Sequence, residues 1–442
     1  MDVISNDEDA DVEYVSPCTI WNDTGYPMRV EAIIVGADMK GLDFERKMSL
    51  EPGEEKDLLM EWSIDRIFEI SQNQSVLERM KVSLEIDHPT AKNLSISNID
   101  IHNLGTKRRK LTFASTKKQV PLVCNVFNYK KKKLVRFSSP MIVKNSLNIP
   151  IVVEIHDENK GPSSFLKIKP HTSKGIPIDK IDYTISFHAE ENHNDQQYAT
   201  FMAKSLITYD AAEIRFGGHF AVLRSQEFKA YTLIYVEPLF VIKNCLPFPI
   251  AANVKGKTLS KTDALMEMLG TQDEFQITTF GSQHNITLII ATNEFGSNEY
   301  LLQPANPKSH QELFFHKQEK KVTLELYSPP SQHEVYTRTL MIAAKTCVIN
   351  ETGEKLTFLS YSQNTIIPSP FSLTLEDGIE VVLFDQINAL KIKPKNDGSS
   401  LSDPVDLNRL GVFPLDLYDG TKKILNVAVK VTNELCGKVI RY

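Results

Sequence analysis

Apolar and polar residues alternate along most of this chain, the spacing that turns one side of a β-strand to a core and the other to water. Leu122-Val-Cys-Asn-Val-Phe127, Tyr231-Thr-Leu-Ile-Tyr-Val236, Thr323-Leu-Glu-Leu-Tyr327 and Leu425-Asn-Val-Ala-Val-Lys-Val431 all have this period of two. Asp377-Gly378, Asp419-Gly420 and the Gly217-Gly218 pair suit tight turns between strands. Helical spacing is sparse. Ser260 to Gly270 combines an N-cap candidate, helix formers and a terminal Gly, which predicts a short inserted helix. Trp62 to Ser71 is the other helical candidate.

Within this alternation one pattern returns five times. Apolar residues lead to an Asn, with Pro or Lys five positions later, and apolar residues then resume. The asparagines are Asn22, Asn145, Asn244, Asn350 and Asn433, separated by 123, 99, 106 and 83 residues. A period near one hundred is too long for a helical solenoid and suits an array of small β modules. The prediction is an all-β chain, a tandem array of antiparallel β-sandwich-like repeat modules at 15–139, 140–237, 238–344 (with the short helical insertion) and 345–442.

Asn is a poor strand former, but its amide offers two donors and an acceptor and it tolerates turn geometry. It can therefore end a strand and bond neighbouring backbone across a corner. Two other landmarks recur. Ile99-Asp-Ile-His-Asn-Leu-Gly105 resembles Val405-Asp-Leu-Asn-Arg-Leu-Gly411, with Glu213-Ile-Arg-Phe-Gly217 a weaker copy. Leu50-Glu-Pro-Gly resembles Ile168-Lys-Pro-His, and the repeat at Asn244 lacks this landmark.

With 442 residues, 41% of them hydrophobic, the chain can bury several cores. A net charge of −6 gives no global reason to expect nucleic acid. Five scattered cysteines without Cys-x-x-Cys argue against a disulfide framework and fit a reducing, cytosolic compartment. The longest apolar runs, such as Ile286 to Ala291, are far shorter than the roughly 20 residues that span a bilayer. From Lys107 to Arg136 there are eleven Lys or Arg and no acid, including Lys107 to Lys110 and Lys130-Lys131-Lys132-Lys133. Such a tract is either a solvated strand edge guarded by cations or a contact for an anionic membrane.

Enzyme signatures are missing. His188-Ala-Glu-Glu-Asn-His193 has the wrong spacing for a zinc helix, no cysteines complete a zinc site, and there is no nucleophile elbow, P-loop or dinucleotide fingerprint. No enzymatic activity, cofactor or metal is expected.

The recurring Asn resembles a family, the adaptor-binding (VAB, or SHR-binding) domain of the vacuolar-protein-sorting bridge-like lipid-transfer proteins. Residues 15–442 carry the resemblance through Asn22, Asn145, Asn244, Asn350 and, less closely, Asn433, and the Lys- and Asn-rich composition is similar to a yeast member. The family's domain has six repeats and this chain four complete ones, so a fragment is expected. Either 350–442 is a last repeat, with Val427 to Ile440 as its closing strands, or Asn433 opens a further one.

What the resemblance implies is a non-catalytic module that captures short Pro-x-Pro peptides of organelle adaptor proteins. It would do so as a cytoplasmic monomer, peripheral at organelle membranes and contact sites. The implied peptide site lies on C-terminal repeats at Asn350, Val348, Ile349, Leu356, Phe358 and Asn244, the peptide adding as a strand to an edge that the first five shape. The alternative is direct binding of anionic lipid by Lys130 to Lys133. Pro247-Phe-Pro249 and Pro368-Ser-Pro370 are themselves Pro-x-Pro sequences.

Overall fold

The computed structural model describes the chain except residues 1–17, 35–44, 59–79, 90, 102, 113–118, 130–131, 157–161, 191–198, 209–210, 257–264, 283, 285, 293–295, 303–309, 318–319, 329–336, 363–364, 369–370, 376–377, 385–386, 395–399, 420–421 and 435–436. The described residues are nearly all strand, and the helical element among them is a 3-10 segment, Ala203–Thr208. The chain divides into two compact units, 1–237 and 238–442. Strands from four successive stretches repeat one arrangement.

The first stretch forms β1 (Cys18–Asp23), β2 (Met28–Ile34), β3 (Glu45–Leu50), β4 (Glu55–Asp57), β5 (Met80–His88), β6 (Ala91–Asp100), β7 (Gly105–Thr112), β8 (Gln119–Tyr129) and β9 (Lys132–Ser138). Its sheets have the orders β4-β1-β9-β8-β7 and β3-β2-β5-β6. The second forms β10 (Met141–Asn145), β11 (Ile151–His156), β12 (Ser164–Ile168), β13 (Ser173–Gly175), β14 (Thr184–Ala189), β15 (Ala199–Met202), β16 (Ala211–Phe216), β17 (His219–Glu227) and β18 (Thr232–Pro238), in the orders β13-β10-β18-β17-β16 and β12-β11-β14-β15.

The third forms β19 (Phe240–Asn244), β20 (Ile250–Gly256), β21 (Leu265–Leu269), β22 (Glu274–Ile277), β23 (Ile286–Thr292), β24 (Gly296–Leu302), β25 (His310–Lys317), β26 (Lys320–Tyr327) and β27 (Arg338–Ala344), in the orders β22-β19-β27-β26-β25 and β21-β20-β23-β24. The fourth forms β28 (Thr346–Asn350), β29 (Leu356–Ser362), β30 (Thr365–Pro368), β31 (Phe371–Thr374), β32 (Glu380–Phe384), β33 (Ala389–Pro394), β34 (Val405–Asp406), β35 (Gly411–Asp419), β36 (Lys422–Glu434) and β37 (Gly437–Arg441). Its sheets run β31-β32-β28-β37-β36-β35 and β30-β29-β33-β34, so β31 is an added strand.

In every copy the first strand lies parallel to the last: β1 to β9, β10 to β18, β19 to β27 and β28 to β37. The other strand pairs with a described register are antiparallel, β2 to β3 and β2 to β5 for instance. The parallel pair sets each head beside its own tail. One or two residues then suffice to reach the next head: 139–140, 239 and 345. Alternation fills the space between the two sheets of a copy. Ile20, Val30, Leu84 and Phe137 pack in the first copy, Val143, Val153, Phe187 and Phe216 in the second, and Val348, Phe358, Ile392 and Val429 in the fourth.

The predicted helix at 260–270 is corrected. Residues 260–264 lie outside the described residues, and Leu265–Leu269 is a strand, β21, paired with β20 from Ile250↔Leu269 to Val254↔Leu265. Helix propensity there is a weak local preference, and the ladder along β20 overrides it. The second helical candidate, 62–71, lies outside the described residues.

Gly217 is also not the equivalent of Gly105 and Gly411. Those two begin β7 and β35 with φ of 126° and 142°, whereas Gly217 sits in the β16–β17 turn between Phe216 and His219. In the second copy the crossing between sheets is made instead by the 3-10 segment, with Ala203 and Leu206 buried.

The first and second copies share a junction inside the first unit. Ile178 packs into the core of the first copy. The Asp179 carboxylate accepts the Tyr26 hydroxyl at 2.6 Å and stands 3.0 Å from His88 Nε2, while the Tyr26 and His88 rings meet edge to face at 4.7 Å. Gly25, at φ 86°, lies against Pro177, where a Cβ would come within 2.9 Å of the proline Cα.

Candidate adaptor-binding site

Four of the five repeat asparagines perform one structural task. Asn145, Asn244 and Asn350 end the first strand of their copies, Asn22 stands one residue before the end of β1, and each is buried. Asn22 Oδ1 accepts the Thr24 N–H at 3.2 Å, and its Nδ2 donates to Tyr26 O at 2.8 Å and Leu50 O at 3.0 Å. Asn145 repeats this with Leu147 N–H, Ile149 O and Ile168 O, and Asn244 with Leu246 N–H, Phe248 O and Leu269 O. Asn350 takes the Thr352 N–H at 3.2 Å and donates to Glu354 O at 2.9 Å. One side chain thus closes the corner between the first and second strands and, in three copies, ties it to the end of the third. Only an amide supplies both the acceptor and two donors at this reach.

The corner also fixes the next turn. Glu51 to Glu54, Lys169 to Thr172 and Gly270 to Asp273 each close with a backbone bond from the fourth residue to the first, of 3.0, 3.3 and 3.2 Å. Their third residues, Gly53, His171 and Gln272, have φ of 84°, 55° and 68°. The N–H of Asn22, Asn145 and Asn244 is bonded in the same turns, to Glu54 O, Thr172 O and Asp273 O. The third copy therefore has the turn that its sequence conceals, because Gly270-Thr-Gln-Asp273 replaces the Pro-Gly and Pro-His signals.

Asn433 is different. It lies exposed in β36 opposite Lys438 of β37, five residues away across a hairpin. It is not a repeat head, and Val427 to Ile440 fall in the last two strands of the fourth copy.

Val348 and Ile349 are buried in β28, which runs between β32 and β37, and Leu356 and Phe358 are buried in β29, between β30 and β33. The expectation of an open edge is corrected at β28, where Val348 and Ile349 have strand partners on both sides, whereas Leu356 to Phe358 pair with β33 on one side and the described ladder with β30 begins only at Leu359. The outermost strands of the fourth copy are β31, β35, β30 and β34. Beyond β34 the same side of β33 is covered by Ser402, whose N–H donates to Ile392 O at 2.8 Å and whose Oγ accepts the Ile392 N–H at 3.0 Å. Leu410, just before β35, and Val412, within it, are 57% and 63% exposed.

Phe248 of Pro247-Phe-Pro249 is buried beneath its own corner, and Pro368 ends β30 opposite Leu359. Lys130 and Lys131 lie outside the described residues. Lys132 and Lys133 begin β9, where Lys133 pairs with Asn128 and Cys18. Lys107 to Lys110 occupy β7, the end strand of its sheet.

On the second copy, Ser186 Oγ lies 2.7 Å from His156 Nε2, His156 Nδ1 is 3.6 Å from Glu154, and Glu154 is 3.0 Å from His188 Nε2. The residue types resemble a hydrolytic relay, but Ser186 is buried and also bonds Thr200 at 3.0 Å, so no substrate carbonyl can reach its oxygen. Among the described residues, no helix is long and apolar enough to cross a membrane.

Repeated β copies with asparagine-locked corners define an all-β repeat protein. The profile of the adaptor binding domain of vacuolar-sorting associated protein 13 matches residues 63–432. The chain belongs to this adaptor-binding domain family. Comparison with curated proteins finds no match.

Proposed function

We propose that this module captures Pro-x-Pro peptides of organelle membrane adaptors by strand addition in its C-terminal repeat, without catalysis, and so holds a lipid-transfer protein at membrane contact sites. The observation that carries the reading is the outer edge of β35, with Leu410 just before the strand and Val412 within it both exposed. An extended peptide gains main-chain bonds along Gly411 to Phe413, while its prolines, which lack N–H, pack on the apolar pair. Pro414, within β35, limits how far pairing runs. Asn350, Val348, Ile349, Leu356 and Phe358 then act as the frame of this repeat, and Asn244 as the frame of the preceding one.

The test is calorimetric titration of a Pro-x-Pro peptide into the chain, with Val412→Asp, Asn350→Ser and Asn22→Ser variants. Val412→Asp should weaken binding at least tenfold without lowering the melting temperature. Asn350→Ser should abolish binding or destabilise the last repeat, and Asn22→Ser should leave affinity nearly unchanged. Equal weakening by Asn22→Ser and Asn350→Ser would overturn the C-terminal placement.

The run Lys130 to Lys133 in the sequence, together with the cationic strand β7, favours a second reading, contact with an anionic membrane. Binding to phosphatidylserine vesicles that disappears at high salt and on neutralising Lys130 to Lys133 supports it. Binding that survives both changes rejects it.

A further inference from the structure

The edge strand β7 presents Lys107, Arg108, Arg109 and Lys110 in succession, and no ion pair is made by any of them among the described residues. Alternation divides the four between the two faces of the sheet. Lys107 and Arg109 stand opposite Cys124 and Leu122 of β8, which belong to the core, so this pair lies on the core side. Arg108 and Lys110 stand opposite Val123 and Pro121 on the other side and are exposed.

Two further observations point to a ligand here. The Nε–H of Arg109 is buried and has no acceptor among the described residues. A buried donor without an acceptor costs free energy, which an anion placed beside it recovers. The ladder described for β7 runs along β8 alone, from Gly105↔Val126 to Thr112↔Gln119. Its other side therefore offers backbone N–H and C=O groups to a further strand.

The placement of the charges selects the occupant. A membrane is planar and, laid against the sheet, neutralises the pair on one face only. An extended peptide at the edge turns its successive side chains to the same two faces as β7 does. Consecutive acids thus meet Lys107 and Arg109 on one side and Arg108 and Lys110 on the other, while the main chain pairs with β7. The chain as a whole carries a net charge of −6, so attraction for a polyanion is local to this tract.

We infer that β7 is a second docking edge, which takes an extended acidic segment of a partner protein as an added strand. This inference is independent of peptide capture at β35, which lies in the other compact unit.

Fluorescence anisotropy of a labelled peptide of eight consecutive glutamates, the length of β7, titrated with the full chain, tests it. Lys107→Gln with Arg109→Gln, and separately Arg108→Gln with Lys110→Gln, should each weaken binding about tenfold, since charge-assisted contacts are lost from both faces in turn. Val412→Asp should leave the affinity unchanged. A chain with Lys107→Glu, Arg108→Glu, Arg109→Glu and Lys110→Glu should bind the matching lysine peptide instead, which a misfolded edge would not do. The glutamate peptide N-methylated at every residue keeps its charges but has no N–H to donate, and should bind at least about tenfold more weakly. Equal binding of the methylated and parent peptides would overturn strand addition. So would weakening by only one of the two double variants, or phosphatidylserine vesicles that displace the peptide and lose affinity in the same variants, since the edge would then serve a membrane.

Discussion

The carboxylate of Asp23, at the end of the first strand of one repeat, accepts the backbone N–H of Gly175 in the next repeat at 3.2 Å. The same carboxylate pairs with Arg136, whose guanidinium lies 4.2 Å over the Trp21 ring. Asp23 is buried, so a residue of the first copy holds both its own last strand and its neighbour. A Cβ at Gly175 would stand 2.6 Å from Asp23 O, a backbone atom that cannot rotate away. Gly175→Ala should therefore separate the two repeats by a few tenths of an ångström and cost about 1–3 kcal/mol, as overpacking does. Urea unfolding followed through Trp21 checks this, and an unchanged midpoint would show that the junction yields freely.

The asparagine corners are not interchangeable with the exposed Asn433. Asn145→Ser and Asn244→Ser strand buried carbonyls at Ile149 and Ile168, or at Phe248 and Leu269. Each should lose at least about 2 kcal/mol of stability, because buried acceptors left without donors carry a desolvation penalty. Asn433→Ser should stay within about 0.5 kcal/mol of the parent, as for surface changes away from special features. Chemical denaturation of the three variants provides the comparison.

The junction of the first two repeats should fail in alkali. Burial, and next the hydrogen bond to Asp179, raise the pKa of the Tyr26 hydroxyl well above the ordinary tyrosine value. An acid whose folded pKa is raised contributes stability that is complete below the unfolded pKa, about 10, and is lost as pH climbs beyond it. Melting temperature should thus fall from pH 9 to pH 11. The fall should be smaller in Tyr26→Phe, which is less stable at neutral pH but has no proton to lose there. Equal alkaline losses in the two proteins would assign the effect elsewhere.

Cys124 should resist thiol reagents. Burial pushes its thiol up to about 11, against the opposing pull of Arg109 and Lys107. At pH 8 almost none of it is thiolate, so alkylation of the native chain by iodoacetamide should be far slower than for a free cysteine. Peptide mapping after timed labelling checks this, and rapid modification would mean that the β7–β8 edge opens readily.

Much of the architecture is legible in the residues themselves. Period-two alternation marks the strands, because most of the described ones have one face in a core. The recurring Asn marks each head because a buried corner with two carbonyls and one amide to satisfy accepts almost no other side chain. Local sequence is silent where the solution is not local. Leu265 to Leu269 is a run of helix formers, yet β20 lies alongside and supplies the ladder that makes it a strand.

Nothing in the order of residues states that each first strand pairs in parallel with its own last, 91 to 115 positions later. Tertiary closure decides that, and with it which strands are left at an edge. Val348 lies between β32 and the chain's return as β37, and that return leaves β35 at one margin of the sheet. The junction of Asp23, Tyr26 and His88 with Gly175 and Asp179 has no signature either. Its contacts join residues more than ninety positions apart, and their chemistry exists only once both repeats have folded.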